Sequence, residues 1–149
     1  MPRCYLLCLC ERSLLDATSN NLTLISVVEE LRLSKPPPQQ RVIELPLEVH
    51  AYWVFSVDEL GRPFEFRLIA KEHGLPDMAS EPMQVKETVS RRFRARFVDP
   101  QIRAETASLE FHLQWRWIDE TEWRTEQAFW PLEVTMVEAP EPAPANAHH

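Results

Sequence analysis

The feature that most constrains this sequence is the alternation of apolar and polar residues along three separate segments. The segments are Leu45–Val57, Phe64–Ala70 and Leu109–Trp117, and in each one the apolar side chains fall on every second position. Successive side chains of a strand point to opposite sides of a sheet, so a period of two indicates a strand with one buried face. These segments therefore predict half-buried β-strands.

Further segments predict strands with a less regular pattern: Cys4–Cys10, Leu22–Leu33, Val85–Val98 and Trp123–Val137. The end of Leu22–Leu33 also fits a short helical spacing. About seven or eight short strands separated by turns are typical of two packed antiparallel sheets. We therefore expect an all-β protein that forms a single antiparallel, immunoglobulin-like β-sandwich.

The composition predicts one domain followed by a tail. A length of 149 residues suits one domain, and the strand patterns occupy residues 1–137. Residues 138–149 alternate Pro with Ala and Glu, which predicts a disordered, acidic tail. No segment has the roughly 20 apolar residues that a membrane-spanning helix needs.

The three cysteines indicate a reducing compartment. Cys4, Cys8 and Cys10 share one parity of a single predicted strand, so we expect them on one face, where they pack as small apolar side chains. An odd number of cysteines in one short segment does not form a disulfide framework. We therefore expect a cytoplasmic protein.

The charge and the motifs argue against several functions. A net charge of −7 disfavours binding to nucleic acid or to anionic membranes. Gly61 and Gly74 are isolated, so no glycine-rich phosphate loop is present. His50 and His112 occupy polar strand positions and could meet across a sheet, but they lack a third ligand for a metal. We expect a protein that is not an enzyme and has no cofactor or metal site.

A row of arginines is the first candidate for a binding surface. Arg92, Arg94 and Arg96 alternate with apolar residues, so on a strand their guanidinium groups share one face. Such a row suits an acidic partner. The alternative is a solvated face on which the arginines pair across strands with glutamates, for which the candidates are Glu65, Glu110 and Glu126.

A tryptophan-rich hairpin is the second candidate. With a turn at Asp119–Glu122, Ile118 would lie opposite Trp123, and Trp117 would face Arg124. The same register would place Phe111 opposite Trp130. Trp115 and Trp117 share the parity of the apolar residues of their strand. This parity favours a position of both side chains in the core. The alternative is an exposed position, in which the two rings form a platform for sugar rings.

Parts of the sequence resemble a bacterial family of small stand-alone immunoglobulin-like β-sandwich proteins of unknown function. The resemblance rests on CYLLCLCER (residues 4–12), NNLTLISVVEE (residues 20–30) and FWPLEV (residues 129–134). Ser26 stands where a glycine is frequent in that family, and the middle of the chain is longer. The resemblance implies the fold, but it supplies no functional residues because the family has no assigned activity.

Together these features predict a non-catalytic protein-interaction module. The alternative is a β-sandwich that binds a small molecule or a carbohydrate on the aromatic hairpin surface. The expected partner is a protein with an acidic surface rather than nucleic acid or a membrane, and the sequence is also compatible with self-association. The candidate partner-binding residues are Arg92, Arg94, Arg96, Ile118, Trp123 and Arg124.

Overall fold

The computed structural model describes residues 1–138 and shows an all-β chain. The predicted tail, 138–149, lies outside the described residues except for Glu138. Within residues 1–138 the chain forms twelve strands and a 3-10 turn at Val57–Glu59. No helix in this described part is long and apolar enough to span a membrane. The strands are β1 (Arg3–Leu15), β2 (Leu22–Val27), β3 (Glu30–Ser34), β4 (Val42–Glu44), β5 (Glu48–Val54), β6 (Phe64–Lys71), β7 (Met78–Ala79), β8 (Met83–Val85), β9 (Arg92–Val98), β10 (Gln101–Arg103), β11 (Ser108–Trp117) and β12 (Arg124–Val137).

In the described part of the chain these strands form two larger sheets and a small ribbon. Sheet A has the order β2-β1-β5-β9, and its pairs are antiparallel. Sheet B has the order β3-β12-β11-β6-β7, with β8 also paired to β6, and β4 pairs with β10 in the ribbon. β3 runs parallel to β12. The expectation of purely antiparallel pairing is therefore wrong at this pair, because the chain leaves sheet A after Val27 and enters sheet B beside its last strand.

The core lies between the inner faces of sheets A and B. Trp53 of β5 packs edge-on against Phe64 of β6, with 5.2 Å between ring centroids. Phe97 of β9 meets Phe66 of β6 at 5.8 Å, also edge-on. The three alternating segments of the sequence supply β5, β6 and β11, so the prediction of strands is confirmed there. One buried face is found only in β11, because β5 and β6 also bury residues of their outer faces, such as His50 and Glu65.

A bulge at Tyr5 reverses the orientation of β1 partway along the strand. The register against β5 shifts immediately after Cys4. Cys4 therefore belongs to the core, whereas Cys8 and Cys10 lie on the outer face of sheet A. The prediction that the three cysteines share a face is wrong, because one extra residue in a strand turns every following side chain to the other side.

The β1–β2 hairpin folds back over the outer face of sheet A. Beyond Cys10, β1 no longer pairs with β5 and continues beside β2. The turn of the hairpin reaches β9, where Arg94 Nη2 donates to Asn20 Oδ1 at 2.9 Å and to the Asn20 carbonyl at 3.1 Å. Ser13 Oγ donates to Glu48 Oε2 on β5 at 2.7 Å. The hairpin therefore covers part of the outer face of sheet A and buries side chains there that lie outside the core.

Candidate binding surface at the edge of sheet A

β9 is an edge strand of sheet A, and its outer face carries the predicted arginine row of Arg92, Arg94 and Arg96. Arg94 is half-buried because it holds the hairpin turn. Arg96 Nη1 lies 3.5 Å from Glu48 Oε1, and its side chain keeps 55% of its surface exposed. Arg92 is exposed and makes no side-chain hydrogen bond or ion pair within the described residues. The row therefore offers two accessible guanidinium groups.

The glutamates expected to pair with this row lie elsewhere. Glu65 forms an ion pair with Arg116, and Glu110 contacts His112 at 2.7 Å. Glu126 accepts hydrogen bonds from the Cys4 backbone and from a tryptophan indole. All three glutamates belong to sheet B, whereas the arginine row is on sheet A. This expectation is wrong because parity assigns a residue to a face and does not assign a strand to a sheet.

The free edge of β9 opens onto a cleft between the two sheets. The cleft has a volume of about 620 Å³, which is within the range of binding pockets. Within residues 1–138, no backbone hydrogen bond joins the free side of β9 to another strand. The polar lining consists of Glu44, Ser80, Glu81, Arg96, Asp99 and Gln101, and the apolar lining includes Leu68, Ala70, Met78, Met83, Phe97 and Phe111.

The β11–β12 hairpin follows the predicted register only in part. Phe111 lies opposite Trp130, as predicted. A bulge then shifts the register between residues 112 and 114, so Arg124 pairs with Trp115 and its Cζ lies 4.8 Å from that ring centroid. The predicted contact between Arg124 and Trp117 is therefore wrong.

The tip of this hairpin is more tightly packed than expected. Ile118 is exposed, but Trp123 is half-buried, with Arg67 Cζ at 4.2 Å and Arg116 Cζ at 4.4 Å from its ring. Trp123 precedes β12, so it is not paired with Ile118. A salt bridge of 2.6 Å joins Arg124 to the Glu120 carboxylate, with both residues on this hairpin.

The two predicted partner surfaces lie on opposite sides of the molecule. The arginine row is on the outer face of sheet A, and Trp123 packs on the outer face of sheet B. Trp115 and Trp117 are 1% and 4% exposed, which confirms that the shared parity of these residues points to the core. They cannot serve as a platform for sugar rings.

The structure also brings together three side chains that the sequence did not connect. Cys10 and His50 are buried and Glu48 is half-buried, and their Sγ, N and O ligand atoms all lie within 4.8 Å of one another. His50 Nε2 is 2.8 Å from Glu48 Oε2. His112 belongs to sheet B, so the two histidines do not meet. The spacing of Glu48 and His50 places both on one face, but strand pairing is needed to bring Cys10 opposite them.

Burial and the contacts within this cluster shift the pKa values of Cys10 and Glu48. Burial raises the pKa of Cys10, and the neighbouring Glu48 carboxylate raises it further. Burial also raises the pKa of Glu48, but hydrogen bonds from Ser13 and His50 and the charge of Arg96 outweigh burial, so this pKa lies below its ordinary value. The cluster thus pairs a carboxylate with a protonated, buried thiol.

Comparison with known proteins gives no match, either to a family model or to a curated protein. The resemblance of the sequence to the stand-alone β-sandwich family therefore stays a prediction. The case for a function rests on the geometry of β9, its arginines and the adjoining cleft.

Proposed function

We propose that this protein is a non-catalytic interaction module that binds an extended, acidic segment of a partner protein along β9. One observation carries the proposal: a strand edge that is unpaired within residues 1–138 has exposed arginines on one side and a largely apolar cleft on the other. Arg92 and Arg96 supply the charge, and the cleft supplies about 620 Å³ of space.

Strand addition explains how these features would act together. An extended segment laid beside β9 forms backbone hydrogen bonds with its free edge, and these bonds give affinity for any sequence. The alternate side chains of the segment point to opposite faces. Acidic side chains on the outer face meet Arg92 and Arg96, while apolar side chains on the inner face enter the cleft beside Met83.

Charge favours an acidic partner in a second way. The chain has a net charge of −7, so the arginine row is a local exception that steers and orients an acidic segment. Arg94 contributes indirectly, because its bonds to Asn20 hold the β1–β2 hairpin against the outer face. We therefore assign partner contact to Arg92 and Arg96, and a positioning role to Arg94.

We also propose that the two packed sheets are a variant of the immunoglobulin-like β-sandwich. The inner faces that meet at Trp53 and Phe64 support this proposal, as does the sequence resemblance. The parallel β3–β12 pair is a departure from the purely antiparallel arrangement. The three cysteines are free, which supports our further proposal of a reducing, cytoplasmic location.

The test uses a synthetic peptide of seven residues that alternates glutamate with leucine. We expect the full chain to bind it and the Arg92→Glu/Arg96→Glu double variant to lose at least about tenfold in affinity. Arg32→Glu is the matched control, because Arg32 is an exposed arginine in β3, an edge strand of sheet B. Its affinity should stay close to that of wild type, and added salt should weaken wild-type binding.

A second peptide tests strand addition itself. N-methylation of alternate residues on one edge removes the donors that would pair with β9, while the side chains stay the same. Methylation of one edge should abolish binding, and methylation of the other edge should be tolerated. Equal binding by both methylated peptides, or by wild type and the double variant, would overturn the proposal.

The size of the cleft favours a second candidate function, the binding of a small apolar molecule that carries a carboxylate. Its apolar lining accommodates a hydrocarbon group, and Arg96, the one basic residue of the lining, would meet the carboxylate at the rim of the cleft, where the edge of β9 separates the two faces. Trp115 and Trp117 are buried, so neither of these rings supports the carbohydrate alternative. Binding of octanoate with no binding of the acidic peptide would favour this candidate.

A further inference from the structure

We propose that Cys10, Glu48 and His50 form a binding site for a divalent transition metal, and that zinc is the ion this site takes. The site is on the outer face of sheet A, beneath the β1–β2 hairpin. It departs from the sequence prediction of no metal site, because the third ligand comes from a strand that only the fold places beside Glu48 and His50.

The geometry supplies three different ligand atoms at one point. Cys10 on β1 lies directly opposite Glu48 on β5, and His50 follows two residues later on the same face. The sulfur, nitrogen and oxygen atoms lie within 4.8 Å of one another. Zinc binds thiolate, imidazole and carboxylate at about 2.0–2.3 Å in a tetrahedral arrangement, which holds its ligand atoms roughly 3.5 Å apart. Shifts of about an ångström would therefore close the site.

The surroundings orient one of the three ligands, the Glu48 carboxylate. Ser13 Oγ donates to Glu48 Oε2 at 2.7 Å, and Arg96 approaches Glu48 Oε1 at 3.5 Å. Such outer contacts fix the direction of a ligating carboxylate. Three protein ligands leave a fourth position, which a water molecule or a small ligand would fill.

Metal binding changes the protonation of the cluster in a defined way. Zinc replaces the proton of the Cys10 thiol, so a sulfur–zinc bond forms as the sulfur–hydrogen bond breaks and one proton passes to solvent. Glu48 is a carboxylate before and after binding. His50 binds as neutral imidazole: Nε2 donates to Glu48 Oε2 in the metal-free protein, and when Nε2 binds zinc the ring hydrogen resides on Nδ1, so this exchange releases no further proton. The charge of the ion compensates for the burial that otherwise disfavours a thiolate.

The chain contains a matched comparison for this site. Glu110 and His112 on β11 repeat the spacing of Glu48 and His50, and His112 Nε2 lies 2.7 Å from Glu110 Oε2. The residues opposite Glu110 are Lys71 and Pro131, so this pair has no thiol beside it. A carboxylate–imidazole pair without a cysteine therefore exists in the same molecule.

The experiment measures metal binding by the full chain, stripped of metal and kept reduced. Cobalt(II) is the spectroscopic probe, because a thiolate ligand gives an intense charge-transfer absorption, and zinc affinity follows from competition with a chromophoric chelator. We expect one equivalent of each ion and a cobalt spectrum with thiolate absorption. Zinc should release one proton from the thiol, measured in weakly buffered solution.

Variants then locate the site. Cys10→Ser should abolish the thiolate absorption and weaken zinc binding by at least about tenfold, and His50→Gln should also weaken it by at least about tenfold. His112→Gln should bind like wild type. Replacing His148 and His149 with alanine removes incidental binding by the tail and should leave the one equivalent unchanged. Circular dichroism checks that each variant is folded.

Three results would overturn the proposal. The first is the absence of stoichiometric zinc from the folded wild-type chain. The second is a cobalt complex without thiolate absorption, a readout on the wild-type chain that does not depend on the folding of any variant. The third is loss of the bound equivalent when His148 and His149 are replaced. The acidic-peptide test is independent of all three, so either proposal can fail alone.

Discussion

Cys4 and Cys10 show how one inserted residue gives the same side chain two different environments. The bulge at Tyr5 leaves Cys4 in the core between the sheets and turns Cys10 toward the β1–β2 hairpin. The Cys4 side chain packs in the apolar core, with the Glu126 carboxylate accepting a hydrogen bond from the Cys4 backbone, whereas the Cys10 thiol has both a carboxylate and an imidazole beside it. Equivalent positions in the sequence pattern are therefore not equivalent in chemistry.

The first prediction concerns the reactivity of Cys4. Burial raises the pKa of its thiol to about 11, so the reactive thiolate is scarce near neutral pH. Alkylation of Cys4 in the folded chain should be slow, and its rate should rise about tenfold per pH unit up to pH of about 9 without reaching a plateau. Mass spectrometry of the modified peptides gives the rate. A plateau below about pH 8 would contradict the assignment.

The β1–β2 hairpin is an element held in place by a few polar contacts at its far end. Arg94 donates two hydrogen bonds to Asn20 in the turn, and Ser13 anchors the hairpin to β5 through Glu48. The turn residues are exposed, so few apolar contacts support these bonds. Such a segment opens locally at a lower free energy than the core.

The second prediction tests this opening. Arg94→Ala removes both bonds to Asn20, so the hairpin should open more often and the alkylation of Cys10 should accelerate several-fold. Cys4 should keep its wild-type rate because it belongs to the core. Arg92→Ala is the control, as Arg92 is a neighbour on the same face that does not contact the hairpin turn. Equal acceleration of Cys4 and Cys10 would instead mean that the whole fold is destabilised.

The β11–β12 hairpin shows how far the sequence predicts an element. Alternation is a local property, so it locates β11 and places Trp115 and Trp117 in the core. The pairing of Phe111 with Trp130 also follows from the sequence. The bulge that moves Arg124 beside Trp115 depends on how two strands twist and pack, and no periodicity reports it. For the same reason the sequence could suggest the arginine row but not the cleft beside it.

The sequence pattern also does not predict which strands are neighbours in a sheet. Glu65 and Arg96 are each on the outer face of a strand, but the strands belong to different sheets. The cluster of Cys10, Glu48 and His50 depends on β1 pairing with β5. The separation of Glu65 from Arg96 and the assembly of the cluster both depend on the order of the strands in the sheets. That order is set by the packing of the whole chain rather than by any one segment.

At the scale of the whole molecule, the two candidate surfaces occupy opposite outer faces and can be perturbed separately. The third prediction uses Trp123→Ala, which removes the ring that Arg67 and Arg116 flank at 4.2 and 4.4 Å. The free energy of unfolding should fall by about 1–2 kcal/mol, since each cation–π contact contributes about 0.5–1 kcal/mol. Urea denaturation measures this loss.

Binding of the acidic peptide distinguishes the two faces in the same variant. Because Trp123 lies on the face opposite the arginine row, the Trp123→Ala variant should bind the peptide with wild-type affinity under conditions where it is fully folded. A loss of peptide binding in Trp123→Ala with unchanged binding in the Arg92→Glu/Arg96→Glu variant would move the partner surface to the hairpin tip.

The last prediction concerns coupling between the two proposed sites, which share Arg96. This arginine lies 3.5 Å from the Glu48 carboxylate, where its positive charge opposes a cation bound at Cys10, Glu48 and His50. A glutamate of a peptide on β9 would attract the same guanidinium group, so the repulsion of zinc should weaken. Zinc affinity should therefore rise several-fold in saturating peptide, and by thermodynamic reciprocity peptide affinity should rise equally in saturating zinc.

The variant Arg96→Gln separates this coupling from an indirect effect. Removal of the charge should tighten zinc binding in the absence of peptide, because a unit charge next to the ligand carboxylate is lost. The peptide should then have little further effect on zinc affinity, since the shared group is gone. Arg92→Gln is the control, as Arg92 does not contact Glu48, and it should keep the coupling while weakening peptide binding. Chelator competition with and without peptide measures the zinc affinity of each of the three proteins, and coupling that survives in Arg96→Gln would show that another residue connects the sites.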